Sequence, residues 1–230
     1  MTPKTALIVG AGAGLSASVA GKLADKGAKV ALAARSLETN QALAETIGGR
    51  AYRCDAAEPD QVDALFKAVE ADLGAPDFVL YNSSARTRGP LVELEPEAVE
   101  KALLVSAFGG FLVAQQAARR MIPAGEGAIF FTGASASVKG YPLSAPFAMG
   151  KFALRGLAQS IARELQPQNI HVAHFVIDGA IRNPGRTEPA DKPDSMLDPD
   201  AIAETYMAVL AQNRSAWTWE VELRPWVERF

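Results

Sequence analysis

The stretch TALIVGAGAGLSASVAGKLADKG, residues 5–27, decides the fold. It opens with the apolar run Thr5–Gly10, which has the length of a strand, and it continues through closely spaced glycines. Apolar residues then return at a helical spacing, at Leu15, Val19 and Leu23. A strand that leads through a glycine-rich loop into a helix is the typical first unit of an α/β sheet with parallel strands.

The rest of the chain repeats this alternation of β-rich runs and helical stretches, with Gly, Pro, Asn or Asp between them. The predicted strands are Thr5–Gly10, Ala28–Ala34, Arg50–Cys54, Asp77–Asn82, Gly127–Gly133, Asn169–Ile177 and Thr218–Leu223. The predicted helices lie at about 14–26, 37–47, 59–73, 96–121, 145–166 and 199–212. We therefore expect a single doubly wound α/β domain over residues 1–230, with a parallel sheet and helices on both faces.

The composition excludes several classes of protein. Of the 230 residues, 49% are hydrophobic and 21% are charged, which is typical of a packed globular domain. The formal net charge of −3 gives no reason to expect a nucleic-acid partner, and no apolar run approaches the ~20 residues of a membrane span. Cys54 is the only cysteine, and the two histidines lack cysteine partners, so we expect a cytoplasmic protein without a disulfide or a metal ion.

One stretch of the sequence fits neither a helix nor a central strand. Residues 182–199, RNPGRTEPADKPDSMLDP, combine several prolines with charges of both signs. Because it lies inside a compact domain, we expect this segment to be a lid over the functional site and not a linker.

The glycine loop indicates a bound phosphate. Gly10, Gly12 and Gly14 lie where backbone amides at a helix N-terminus can approach a pyrophosphate without obstruction by a Cβ atom. The spacing is not GxGxxG, because Leu15 occupies the last position, but it matches GxxxGxG with Ser16 at the final glycine. A Rossmann-type dinucleotide site is therefore predicted, and a glycine-rich turn without a ligand is the alternative.

The end of the second predicted strand indicates which dinucleotide is bound. An NAD site usually has an acidic side chain there for the ribose hydroxyls, but this chain has Ala34 followed by Arg35. A guanidinium suits the 2′-phosphate of NADP, so NADP is favoured over NAD. The alternative is an exposed arginine that only opens a loop.

Motifs along nearly the whole chain resemble those of the short-chain dehydrogenase/reductase family. The loop GAGAGLS resembles the family's cofactor loop, Asp55 after Cys54 resembles the aspartate that contacts adenine, and Asn82 in YNSSA matches the first asparagine of the NNAG stretch. The segment Asp178–Ile181 resembles the PG-x-I segment beside the nicotinamide, with Asp178 in place of proline. The C-terminal WTWEVELRP resembles the family's last strand.

This resemblance implies a small-molecule substrate and an NAD(P) cofactor. Together with the loop and Arg35, it assigns cofactor binding to Gly10, Gly12, Gly14, Leu15, Arg35, Asp55, Asn82, Lys151, Gly179 and Ile181.

The catalytic positions depart from the family pattern. The family commonly uses a tyrosine as general acid or base, a lysine four residues later, a serine thirteen residues before the tyrosine, and an asparagine in the preceding long helix. Lys151 is present, but Phe147 stands in place of the tyrosine. Ala134 takes the position of the serine, with Ser135 beside it, and Ser106 takes that of the asparagine. The proton relay is therefore predicted to be degenerate.

Another phenol is available as a proton donor. Tyr141 lies ten residues before Lys151, and some reductases of the family that act on conjugated C=C bonds keep the lysine but use a donor elsewhere. Tyr141 is therefore a candidate donor, with a packing role as the alternative. The candidate catalytic residues are Lys151, Ser135, Tyr141, Phe147 and Ser106.

Hydrolytic and metal chemistry fit less well. The GASAS segment is similar to a nucleophile elbow, but the chain lacks the order serine, acid, histidine that such hydrolases need. His171 and His174 lie three residues apart on a predicted strand, hence on opposite faces, and we expect both to be packing residues. We also expect Trp217 and Trp219 to pack on the same strand face as Val221 and Leu223.

The sequence thus predicts an NADP-dependent oxidoreductase acting on a carbonyl or a conjugated C=C bond. The alternative is a non-catalytic NADP(H)-binding sensor or regulatory protein, which differs only in whether a donor replaces Phe147. The predicted helix 96–121 is apolar around most of its circumference, and Gly109 and Gly110 allow close approach. It predicts a homodimer or homotetramer, and a long core helix is the alternative.

Overall fold

The computed structural model describes residues 1–229, and residue 39 by its backbone alone. Its parallel strands form one sheet in the order β3-β2-β1-β4-β5-β6-β7. The strands are β1 (Thr5–Val9), β2 (Lys29–Ala34), β3 (Arg50–Arg53), β4 (Phe78–Tyr81), β5 (Gly127–Thr132), β6 (Ile170–Ile177) and β7 (Glu220–Leu223). The strand order reverses between β1 and β4, which opens a crevice at the carboxyl ends of these strands. The predicted fold class is confirmed.

Helices cover both faces of the sheet. They are α1 (Leu15–Asp25), α2 (Glu38–Ile47), α3 (Pro59–Leu73), α4 (Pro96–Leu103), α5 (Gly109–Ala124), α6 (Ala145–Leu165) and α7 (Pro199–Leu210). Pro59, Pro96 and Pro199 each open a helix, where a missing backbone N–H costs nothing. Within residues 1–229, no helix has both the length and the apolar character that a membrane crossing requires.

Each face of the sheet buries its own apolar cluster. Ala6 and Ile8 of β1 pack on the face covered by α1 and α7, while Leu7 and Val9 pack on the face covered by α3, α5 and α6. Complete burial of a leucine, isoleucine or valine side chain contributes about 1.5–3 kcal/mol. The strands are apolar on both sides because both sides are covered.

The predicted helix 96–121 is interrupted, so its prediction as one helix is wrong. A π-helical turn, Leu104–Phe108, separates α4 from α5. The hydroxyl of Tyr81 donates a short hydrogen bond to the carbonyl of Val105, which lies inside this turn. A side-chain donor at that carbonyl competes with the regular helical hydrogen bond.

The two glycines of this region serve packing within the chain. A Cβ atom on Gly109 would lie 2.5 Å from the hydroxyl oxygen of Tyr81, and one on Gly110 would lie 2.5 Å from Cδ1 of Leu154. The sequence interpretation that these glycines allow close approach of another subunit is therefore wrong, since their own chain occupies that space.

Residues 182–198 form the irregular segment that the prolines predict. Its start and end are tied together, because Arg182 pairs with Asp198 and its Nη1 lies 3.4 Å from Oε1 of Glu188. The segment also reaches the glycine loop: a Cβ on Gly14 would lie 3.5 Å from Cβ of Asn183. It therefore lies beside the carboxyl edge of the sheet.

Trp217 and Trp219 lie before β7, because β7 begins only at Glu220. The ring of Trp217 stacks on His171 at a centroid distance of 4.6 Å. Trp219 packs against the α6 side of the sheet, whereas Val221 and Leu223 pack against the α7 side. The predicted packing roles fit the structure, but the predicted shared face is wrong because strand alternation does not extend to Trp219.

Candidate active site

The glycine loop has the geometry of a phosphate cradle. Gly10 has φ +86°, and a Cβ on it would lie 2.4 Å from the backbone nitrogen of Ser83, so no larger residue fits. Gly14 has φ +107° and immediately precedes α1, whose first turn has neither an acidic residue nor a side-chain cap. The first amides of α1 are thus available to an anion, and the helix dipole favours one there.

The other two predicted loop residues have different surroundings. Gly12 has open space where a Cβ would stand, with no atom within 4 Å. The side chain of Leu15 is buried in the core cluster on the α7 side, so only its backbone is available to a ligand.

Asn82 connects β4 to the glycine loop. Its side-chain amide donates to the Ser16 hydroxyl at 2.7 Å, and that hydroxyl donates to the Gly10 carbonyl at 3.2 Å. Ser16, at the centre of these two bonds, is nearly fully buried, whereas Gly10 and Asn82 are partly buried. Ser16, which stands in place of the last glycine of the motif, fixes the loop through its hydroxyl.

A cavity of about 230 Å³ lies between the ends of β1 to β4. Asp55 is held in a turn at this cavity, because its Oδ1 accepts from the Ala57 amide at 3.1 Å. The Arg35 side chain is exposed at the rim of the cavity. Cys54 also lines the cavity, and burial raises the pKa of its thiol to about 12, so the thiol is neutral. The cavity brings together four predicted cofactor residues: Gly10, Arg35, Asp55 and Asn82.

A second cavity, of about 380 Å³, lies beyond the ends of β5 and β6. We call it the reactive cavity. It brings together the predicted residues Ser135, Tyr141, Phe147 and Gly179. Its full lining is Arg86, Arg88, Ala134, Ser135, Ala136, Tyr141, Ser144, Phe147, Ile177, Asp178, Gly179, Ala180, Arg186 and Glu228.

Lys151 lies behind this cavity. Its side chain is buried, and its Nζ donates to the Thr132 carbonyl at 2.7 Å. Phe147 precedes it by one turn of α6, with 6.0 Å between Nζ and the centre of the ring. Burial, and then the charge of Arg86, lower the pKa of Lys151 to about 7.

Tyr141 has a cationic neighbour. Nζ of Lys139 lies 5.7 Å from the centre of its ring and 3.3 Å from Oδ2 of Asp178. Hydrogen bonds to Tyr141 and Asp178 raise the pKa of Lys139, so its ammonium persists. The Tyr141 side chain itself is 42% exposed, which leaves the phenol accessible from the cavity.

Asp178, which replaces the proline of the family segment, is buried and paired with two cations. Its Oδ2 lies 3.3 Å from Lys139 and 3.6 Å from Nη2 of Arg224. Gly179 follows with φ +147°, and a Cβ there would lie 2.7 Å from Cδ of Pro225. These contacts hold the chain after β6 against the chain after β7.

The structure does not bring every predicted site residue to a cavity. The Ser106 hydroxyl is buried and accepts from the Ala85 amide at 3.2 Å, so it braces the chain after β4. Ile181 pairs with Leu197 and packs against the core. Neither lines the reactive cavity, because both side chains point into protein contacts.

Sequence reasoning missed the arginines of the reactive cavity. The guanidinium carbon of Arg86 lies 4.3 Å from the centre of the Phe147 ring, and Arg88 and Arg186 line the same space. Arg86 and Arg88 directly follow YNSSA at the carboxyl end of a central strand, and this position was the available signal. Arg186 gave no such signal, since only the course of residues 182–198 brings it there.

The two histidines are packed strand residues, as expected. The His174 Nδ1 lies 3.0 Å from Oε2 of Glu220, and Arg155 donates to both carboxylate oxygens of Glu220, from Nε to Oε2 at 2.6 Å and from Nη2 to Oε1 at 2.8 Å. His171 is buried, with Nε2 2.9 Å from the Thr218 carbonyl. In the described part of the chain, no group of three or more His, Cys, Asp or Glu residues could hold a metal ion.

Known proteins resemble this chain in sequence and in fold. The chain is 30% identical to D-threitol dehydrogenase of Mycolicibacterium smegmatis over 174 residues, which is 74% of this chain and 67% of that relative. It is 36% identical to a short-chain dehydrogenase structure from Rhodopseudomonas palustris, with a TM-score of 0.83 and coverage of 96% and 98%. A metagenomic short-chain oxidoreductase in complex with NADP is 28% identical, with a TM-score of 0.83 and coverage of 96% and 97%.

The family itself follows from a wider match. The sequence pattern of the short chain dehydrogenases matches residues 4–190, which include the glycine loop, Asn82 and Lys151. The chain therefore belongs to the short-chain dehydrogenase family, whose members are oxidoreductases that bind NAD(P).

Proposed function

We propose that the protein is an NADP-dependent oxidoreductase that reduces a small carbonyl compound or a conjugated C=C bond, with Tyr141 as proton donor. The observation that carries this proposal is the reactive cavity, which brings Tyr141, Ser135 and Gly179 together around Phe147. This cavity holds a phenol although the residue four before Lys151 has none.

The residues of the first cavity fit the proposed cofactor. The Gly10 and Gly14 loop leaves amides free for the pyrophosphate, and Asp55 lies where the adenine would be held. Arg35 has no acidic partner among residues 1–229, so its guanidinium is available to the 2′-phosphate. The NADP bound to the metagenomic relative supports the same choice.

Each residue of the reactive cavity then has a role. A bound nicotinamide supplies or accepts a hydride. Tyr141 donates its phenolic proton to the reduced substrate, and the nearby Lys139 ammonium stabilises the phenolate that remains. The Ser135 hydroxyl orients the substrate oxygen, and Phe147 forms an apolar wall that excludes water. Lys151, whose Nζ donates to the Thr132 carbonyl in the cofactor-free protein, would bind the nicotinamide ribose only by leaving that carbonyl.

A second candidate function is a non-catalytic NADP(H)-binding sensor. Phe147 has no ionisable proton and Ala134 has no hydroxyl, and this double loss favours a protein that binds the cofactor without turnover. The two functions share the cavity that brings together Gly10, Arg35, Asp55 and Asn82, and they differ only at the reactive cavity.

We also propose that the protein is a homodimer or homotetramer. Large apolar side chains are exposed along the π-helical turn, α5 and α6, at Phe108, Phe111, Met149 and Phe152. They lie near an apolar groove of about 750 Å³ between α4 and α6. A second copy of the chain would remove these side chains from water.

The test of function is NADPH oxidation, followed by absorbance at 340 nm with a panel of ketones, quinones and enones. An enzyme consumes NADPH with at least one class of compound. If the protein binds NADPH in a fluorescence titration but consumes none with any compound, the sensor reading is favoured. Absence of NADPH and NADH binding would contradict both functions.

A further inference from the structure

The reactive cavity has three arginines in its lining. Arg86, Arg88 and Arg186 all line it. Among residues 1–229, no acidic side chain forms an ion pair with any of the three, and their guanidinium groups make no hydrogen bond to the protein. Within the described residues, three arginines without an acidic partner therefore line one space of about 380 Å³.

The acidic residues at this cavity do not cancel the positive charge. Asp178 is already paired with Lys139 and Arg224. Glu228 is exposed, and among the described residues it forms no ion pair with these arginines. Burial is the largest cause that lowers the pKa of Arg86, and the positive charges of Arg186 and Arg88 lower it further. The second effect is expected where cations lie close together without a described counter-ion.

Arg86 lies in the reactive cavity and not in the cavity where we propose that the adenosine end of the cofactor binds. Its guanidinium carbon lies 4.3 Å from the centre of the Phe147 ring, which lines the reactive cavity. The adenosine end has its own cation, Arg35, in the other cavity. Arg186 also borders the space next to Gly14, so the test has to separate substrate from cofactor.

We propose that the reactive cavity takes a substrate that carries an anionic group, a carboxylate or a phosphate, and that Arg86, Arg88 and Arg186 bind this group. A guanidinium presents paired N–H donors that match both kinds of oxyanion. The binding proposal rests on the arginines alone, whereas its description as a substrate site rests on the proposed oxidoreductase function.

The experiment compares charged and neutral partners of the same carbonyl compound. Acetoacetate is paired with methyl acetoacetate, and dihydroxyacetone phosphate with dihydroxyacetone. Calorimetry measures the binding of each to the full-length protein, both free and saturated with NADP⁺. We expect at least one anion to bind roughly tenfold to a hundredfold more tightly than its neutral partner, because charge-assisted hydrogen bonds are strong. The pair that shows the difference identifies carboxylate or phosphate.

Variants assign the effect to the cavity. Arg86→Gln and Arg186→Gln are expected to reduce anion affinity by about tenfold or more. Arg86→Lys is expected to reduce it less, because lysine keeps the positive charge but lacks the paired N–H donors of the guanidinium. Arg163→Gln is the matched control, since Arg163 is exposed near the end of α6 and bonds to the Gln159 carbonyl. It is expected to bind the anion like the wild type.

Two outcomes would overturn the inference. One is equal affinity for the charged and neutral partners in both pairs. The other is arginine variants that bind NADP⁺ more weakly while their anion affinity is unchanged, because the arginines would then serve the cofactor. Arginine-dependent anion binding without any NADPH oxidation would support this inference and count against the proposed oxidoreductase.

Discussion

Arg86 stacks on Phe147, with its guanidinium carbon 4.3 Å from the ring centre. A cation over an aromatic face is favourable by about 0.5–2 kcal/mol. The residue in place of the family's catalytic tyrosine thus supports a cation and offers no proton. The charge of Arg86 also lowers the pKa of Lys151. Where the family has a tyrosine beside the lysine, this protein thus has a phenylalanine that holds an arginine near the lysine.

Cofactor preference tests the role of Arg35. We expect the wild type to bind NADPH more tightly than NADH, and Arg35→Ala to lose roughly tenfold to a hundredfold in NADPH affinity with little change for NADH. Fluorescence titration measures both affinities. Arg53→Ala is the control, because Arg53 ends the neighbouring strand β3 but does not line the cavity. Unchanged preference in Arg35→Ala would contradict the assignment of the 2′-phosphate to this residue.

Restoring the family's residues tests the interpretation of the reactive cavity. The double variant Phe147→Tyr, Ala134→Ser places a phenol one turn before Lys151 and a hydroxyl in the cavity lining. Steady-state assays should show a gain in simple ketone reduction of about 10²-fold or more, the size of general acid catalysis.

Val92→Tyr is the control for that gain, since it adds a phenol at a residue that is exposed and lines neither the reactive cavity nor the apolar groove. A folded double variant that binds NADPH and reduces ketones no faster than the wild type would show that the cavity is not a ketone reductase site.

Lys151 makes the stability of the ligand-free protein depend on pH. Its pKa is about 7 in the folded state and about 10.4 in an unfolded chain. Between these values the unfolded chain binds more protons, so the free energy of unfolding rises with pH, by at most about 1.4 kcal/mol per pH unit. Below pH 7 both states carry the proton and this slope disappears.

Urea denaturation of the wild type and Lys151→Met at pH 7 and pH 9 measures this effect. The wild type should gain stability over this range relative to Lys151→Met. Lys26→Met, at the exposed end of α1, should behave like the wild type. The same pH dependence in Lys151→Met and the wild type would refute the lowered pKa.

The exposed aromatic residues test the oligomer. Phe108 and Phe111 stack on each other with ring centres 6.0 Å apart, and Phe152 is exposed on α6. Light scattering should report a dimer or tetramer at micromolar concentration, and Phe111→Glu or Phe152→Glu should shift it towards the monomer. Leu37→Glu, before α2, is the control for a charge added at an exposed apolar residue. A stable monomer in the wild type would reject the assembly.

Local periodicity predicts most of the fold, because each strand and helix is encoded within its own segment. The interruption at Leu104–Phe108 is different, since it depends on a hydrogen bond from Tyr81, which lies 24 residues before Val105. The spacing of apolar residues within the helix cannot predict a contact with a residue so far away in the sequence. The roles of Gly109 and Gly110 were misinterpreted for the same reason, because their partners lie in β4 and α6.

Some residues of the candidate site could likewise be located from the sequence, and others could not. The glycine loop and Asn82 could be found from the sequence, because spacing relative to a strand end determines where such residues lie. The place of Arg186 could not be found in this way, since it meets Arg86 only when residues 182–198 fold beside the sheet edge. Ser106 occupies the expected position in sequence, but its hydroxyl bonds to the Ala85 amide and stays out of the cavity.

The most direct test of the proposed enzyme is the rate of NADPH oxidation by Tyr141→Phe, with the compound that the wild type reduces fastest. Tyr52→Phe is the control, because the Tyr52 hydroxyl bonds to Asp72 away from both cavities. If Tyr141 donates the proton, kcat falls by about 10²-fold or more while the NADPH affinity is unchanged. Equal kcat values for Tyr141→Phe, Tyr52→Phe and the wild type would contradict this account.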